Sequence, residues 1–127
     1  MFAEYKNWLE DLLAQLERAG HTVVCALRED KYRINDADPA GAFRLDTEAI
    51  KQCDALLALL TDSASAGVQT EIGYALALGK KVLLAHKPTD KLAYINDAIV
   101  RAGLAQELLL PLDIAAAQRT LAIPSRL

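Results

Sequence analysis

At 127 residues the chain has the length of one ordinary domain, enough for a single sizeable core. Hydrophobic residues make up 53% and charged residues 24%, which excludes a disordered chain and a coiled coil. The net charge is -3, the two signs are interspersed and no basic patch stands out, so nucleic-acid polymers and anionic membranes are excluded as partners.

Residues 2–19 read as an amphipathic helix, because Tyr5, Trp8, Leu9, Leu12, Leu13 and Leu16 recur at helical spacing. Gly20 follows in the position of a C-terminal cap. Residues 21–27 form a short β-rich run, expected as a strand. The stretch 28–42 is polar and punctuated by Gly, Pro, Asn and Asp; it reads as a long loop, of a length that is often functional. Next come a helix over 43–53, a fully buried strand over 54–61 (DALLALLT), a loop of small residues over 62–67 and a helix over 68–79 that ends on glycine. A second buried strand covers 81–86 (KVLLAH), followed by a helix over 91–102, a short strand over 107–110 and a last helix over 113–121.

Short apolar strands alternating with helices predict an α/β fold: a parallel sheet of four to five strands with helices on both faces. No repeat, low-complexity tract or linker interrupts it, so residues 1–127 read as one domain. In such sheets ligands bind beyond the carboxyl ends of the strands, which points to the loops 28–42, 62–67 and 86–92.

Cys25 and Cys53 each lie in an apolar run and read as buried, reduced core residues. With His21 and His86 far apart in sequence, no metal-ligand spacing is present and no metal site is expected. The amphipathic, acidic N-terminus is unlike a secretory signal, and the longest apolar run is far short of a membrane span. A cytoplasmic protein is expected.

Glu71 is the most informative residue. It is placed in the first turn of the helix after the strand 54–61, with Gly67, Val68, Tyr74, Ala75 and Leu78 at helical spacing, whereas Gln69 marks another face. A carboxylate on the core-facing side of a helix is costly unless something uses it. A capping box would need Ser, Thr, Asp or Asn three residues earlier, where Val68 stands; complementing the helix dipole remains open. The helix N-terminus favours the ionised form and apolar walls disfavour it, and the sequence does not decide between them.

Ser65 and Gly67 lie in the small-residue stretch before that helix, a natural seat for a phosphate or sugar hydroxyl. A plain N-cap is the commoner role for such a serine. Asp46 opens a helix, where an acid usually complements the dipole. Asn96, beside Ile95 and Ile99, reads as a solvated helix residue. Arg28, Glu29, Asp30, Tyr32 and Arg33 fill the long loop, in which an aromatic with charges could meet a base.

Residues 65–82, SAGVQTEIGYALALGKKV, resemble the signature of the nucleoside 2-deoxyribosyltransferases and the related 2'-deoxynucleoside 5'-phosphate N-hydrolases. The resemblance extends upstream through 46–60 (DTEAIKQCDALLALL) and downstream to YINDAI at 94–99, about two-thirds of the chain. It implies a three-layer, flavodoxin- or Rossmann-like fold without a cofactor, and a nucleoside or nucleotide as the small-molecule partner. Glu71 would be the nucleophile at the anomeric carbon, and Asp46 the acid that manages a proton at the leaving base. Ser65 would contact the 5' end of the sugar, where the nucleotide hydrolases carry serine and the transferases an acid. Asn96 would complete that 5' site from a neighbouring subunit, where transferases favour Asn, so a homodimer or higher homo-oligomer is implied. Family members begin with a strand and a Gly-rich turn bearing an aromatic. Here the chain enters a helix almost at once, so Phe2 is expected as the remnant of that turn, and two readings stay open: the natural start lies upstream of Met1, or the domain lacks the family's first strand. The resemblance leaves transfer, hydrolysis and a silent nucleotide-binding module of the same fold as readings; an oligomeric interaction domain without a ligand is a blander fourth.

Overall fold

The computed structural model describes residues 2–25, 28, 38–60 and 66–121. Their elements are α1 (Phe2–Arg18), α2 (Pro39–Gln52), β1 (Ala55–Leu59), α3 (Ala66–Ala77), β2 (Lys81–His86), α4 (Tyr94–Arg101), β3 (Gln106–Leu109) and α5 (Ile114–Leu121). The chain divides into two compact units, Met1–Asp46 and Thr47–Leu127.

In the first unit, α1 buries the stripe Leu9, Leu12, Leu13 and Leu16 predicted from its spacing. Each such side chain contributes about 1.5–3 kcal/mol on removal from water. The helix ends in a Schellman motif: the Gly20 N–H donates to the Glu17 carbonyl and the His21 N–H to the Leu16 carbonyl. Gly20 holds φ at 101°, which only a residue without a Cβ adopts cheaply.

The run after it departs from expectation. His21, Val23 and Cys25 are half-buried while Thr22 and Val24 are exposed, the alternation of a strand, yet residues 21–25 enter no ladder; 26 and 27 lie outside the described residues. Local pattern supplies the alternation, but only a neighbouring strand supplies the ladder.

The long loop 28–42 also needs correction, because α2 starts at Pro39 and not at 43. The Asp38 carboxylate accepts the Gly41 N–H at 3.0 Å. Asp38 is thus an N-cap and Pro39 occupies the first helical position, where its missing N–H costs nothing. Gly41 leaves room for this cap, since a Cβ there would collide with the Asp38 carboxylate.

Among the described residues, the second unit holds a parallel sheet of three strands in the order β1-β2-β3. Alternate residues define its faces. Ala58, Val82 and Leu84 join Ile72 and Ala75 of α3 and Ile50 of α2 in one apolar cluster, with Leu56 of β1 and Ile99 and Val100 of α4 packed against it. Leu83 and Ala85, which point the other way, are also fully buried, so β2 is covered on both faces as its unbroken apolar run predicts. Helix α3 ends on a second Schellman motif, with Gly79 at φ 72° and the Lys80 N–H donating to the Ala75 carbonyl. Lys80 then reaches the last turn of α2, where its Nζ donates to the Lys51 carbonyl at 2.9 Å.

The shorter elements shift only at their ends: α4 is Tyr94–Arg101 rather than 91–102, and β3 is Gln106–Leu109 rather than 107–110. Cys25 and Cys53 are free but half-buried, not fully buried. Burial still pushes the Cys53 thiol pKa up, against the opposing pull of Lys80. No helix among the described residues is long and apolar enough to cross a membrane.

Candidate functional site

Helix α3 leaves the carboxyl end of β1 through residues 61–65, so Ser65 lies outside the described residues. The helix begins at Ala66, two residues earlier than its apolar pattern suggests, and Thr70 Oγ1 donates back to the Ala66 carbonyl at 2.8 Å. Gly67 is its exposed second residue. The early start carries Glu71 into the second turn, and the first turn holds no acid. Because the dipole acts within the first turn, it ceases to be an adequate reason for an acid at this position.

The buried face of α3 is centred on Ile72 and Ala75. Glu71, one step beside Ile72 and one turn before Ala75, stands on its flank and is half-buried; Leu78 is 43% exposed, so the stripe drawn through Glu71 does not continue inward. Gln69 is expected on another face than this stripe. It is half-buried, and its Nε2 is buried without a hydrogen-bond partner among the described residues. A spacing of three puts it over Ile72, which the residue type concealed.

Asp46 is likewise displaced along its helix. With α2 starting at Pro39 it is the eighth helical residue, half-buried, and no acid lies in the first turn. It is the last residue of the first unit. Phe2 is the first residue of α1. Arg28, the described member of the charged loop group, is committed to structure: its guanidinium forks onto the two Glu17 carboxylate oxygens at 2.9 and 3.3 Å and donates to the Val23 carbonyl. The Glu17 hydrogen bond raises its pKa, so it stays charged throughout.

Asn96 is not solvated. It is 3% exposed, and its Oδ1 is buried without a hydrogen-bond partner among the described residues. It falls on the inner side of α4 with Ile99 and Val100, while Tyr94 and Ile95 are 89% and 51% exposed. An unsatisfied buried amide oxygen costs about 1–3 kcal/mol, so this position is conspicuous.

The sequence gives little warning of His86, which ends β2. It is 5% exposed; its Nε2 meets a carboxylate oxygen of Glu107 and its Nδ1 lies 2.8 Å from the Lys87 carbonyl. Both neighbours accept hydrogen bonds when Glu107 is ionised, so the ring satisfies both by carrying a proton on each nitrogen. Burial lowers its pKa, but Glu107 and the backbone at Lys87 and Asp90 outweigh burial and raise it above the ordinary value. Among the described residues no group of three His, Cys, Asp or Glu side chains is arranged to hold a metal ion.

Residues 2–119 match the family model for nucleoside 2-deoxyribosyltransferase. The chain belongs to this family. A solved structure of the Clostridium botulinum CMP N-glycosidase BcmB is similar to it at 27% identity, with a TM-score of 0.71 over 95% of this chain and 91% of that one. No curated protein matches. The family's α/β architecture accounts for the parallel sheet and its crossover helix α3, and the matched stretch contains Glu71, Asp46, Ser65, Gly67 and Asn96.

Proposed function

We propose that this deoxyribosyltransferase-family protein cleaves or transfers at the N-glycosidic bond of a 2'-deoxyribonucleoside or its 5'-monophosphate, with Glu71 as nucleophile. The supporting observation is that Glu71 lies within a family match spanning 2–119, half-buried on the helix that follows the carboxyl end of β1. A carboxylate there has neither a capping box nor the first-turn dipole to explain it.

In this reading the Glu71 carboxylate attacks C1' as the C1'–N bond breaks. The base departs with the bonding pair, and Asp46 delivers a proton to it. The glycosyl ester on Glu71 then yields to water or to a second base, which bonds to C1' while Asp46 takes up the incoming proton and the carboxylate is released. Two inversions give net retention at C1'. No cofactor enters these steps.

Ser65, in the serine form of the nucleotide hydrolases, and the similarity to a CMP N-glycosidase favour the 5'-monophosphate as substrate. Gly67 and Phe2 would line the sugar and base. For Asn96 to complete the 5' site in a homodimer, α4 would have to turn on association, because in the single chain Asn96 is 3% exposed on the inner side of that helix; the exposed apolar Tyr94 and Ile95 beside it suit an associating face. The test is base release, or base exchange with a second base present, followed by chromatography with CMP, dCMP, the other deoxynucleotides and the free deoxynucleosides. Turnover that Glu71→Gln abolishes supports the reading; no turnover of any of them by the folded protein refutes it. Light scattering at micromolar concentration tests association, and a monomer would count against the role of Asn96.

A further inference from the structure

We propose that the doubly protonated ring of His86 is a pH-dependent latch that fastens the turn after β2 to strand β3 at the ligand end of the sheet. The register of the sheet builds it. Glu107 pairs with Leu84, two residues before His86, so both side chains stand on one face of adjacent strands and meet at Nε2. On the other side the Lys87 carbonyl receives the Nδ1–H and also the Asp90 N–H, at 3.0 Å, which closes the turn 87–90. The His86 carbonyl accepts the Leu110 N–H at 2.8 Å, a third tie to the segment after β3.

The ring therefore joins two structures through its two N–H groups. Loss of one proton to solvent leaves a single N–H and turns a lone pair towards either the Lys87 carbonyl or the Glu107 carboxylate, and one tie becomes repulsive. On the elements packed about this face of the sheet, β1 carries no ionisable side chain, α3 carries Glu71 and Tyr74, α4 carries Asp97 and Arg101, which pair with each other, and the turn carries Lys87 and Asp90, both exposed. The raised pKa of His86 agrees with this geometry, because its acceptors outweigh its burial.

The test is an NMR titration of the His86 ring from about pH 5 to about pH 9, with His21→Gln used to assign the two histidines. Amide-exchange protection of Asp90 is followed over the same range. The expected midpoint lies above the ordinary histidine value of 6.5, Asp90 protection falls about tenfold across it, and both transitions move to lower pH in Glu107→Gln. Glu107 is 41% exposed at its side chain, so this variant keeps the fold. A midpoint at or below 6.5, a midpoint unmoved by Glu107→Gln, or Asp90 protection that ignores the titration would each overturn the latch.

Discussion

Glu71 follows the carboxyl end of β1 and His86 forms the carboxyl end of β2, yet the two neighbouring sites handle charge differently. His86 is buried and its surroundings explain it fully: a carboxylate on one nitrogen and a carbonyl on the other. Glu71 is half-buried on the flank of an apolar helix face, where no helix-terminal role explains it. A charge explained by strand register points to structure, and a carboxylate that no helix-terminal role explains, inside the stretch matched by the family, points to a ligand.

The largest effect should come from Glu71→Gln, which removes the proposed nucleophile while keeping size and polarity. Base release should fall at least about a thousandfold, with the unfolding midpoint nearly unchanged. Equal activity in variant and wild type would erase the contrast between the two sites. The sheet that carries both is tested by Leu83→Ala, at a fully buried position, which should cost about 2–5 kcal/mol in urea unfolding. A loss below about 1 kcal/mol would mean that the far face of β2 is poorly packed. Asp38→Ala should cost about 1 kcal/mol by removing the N-cap of α2, measured in the same way.

The smallest effect concerns His86. Because its folded pKa is raised, the stability it contributes is fully present below pH 6.5 and is lost as pH rises through the raised value. Glu107→Gln should therefore be less stable than wild type at acidic to neutral pH, and the two should converge at alkaline pH. Denaturant midpoints across pH would show it, and a difference that grows towards alkaline pH would contradict the sign.

Much of the fold was legible in the chain. The runs DALLALLT and KVLLAH became β1 and β2, and the glycines at 20 and 79 stopped the helices they follow. The start of α2 was hidden because Asp38-Pro39 carries both a turn signal and a helix-start signal, and the surrounding Gly, Asn and Asp favoured the first. That one misplacement moved Asp46 from a helix opening to mid-helix.

For the site, residue type and motif singled out Glu71, but its half-burial depends on where α3 begins, which periodicity fixes only to within a residue or two. The burial of Asn96 follows from the rotation of α4 against the sheet, which its mixed neighbours did not reveal. The His86–Glu107 pair depends on the parallel register of β2 and β3, and residues 21 apart give no local sign of it.

The most direct test is intact-protein mass spectrometry after rapid acid quench of turnover with dCMP and CMP, followed by peptide mapping. A sugar-phosphate adduct is expected on the peptide bearing Glu71 in the wild-type protein and none in Glu71→Gln. Undiminished base release by Glu71→Gln, or an adduct mapped to a different side chain, would contradict it.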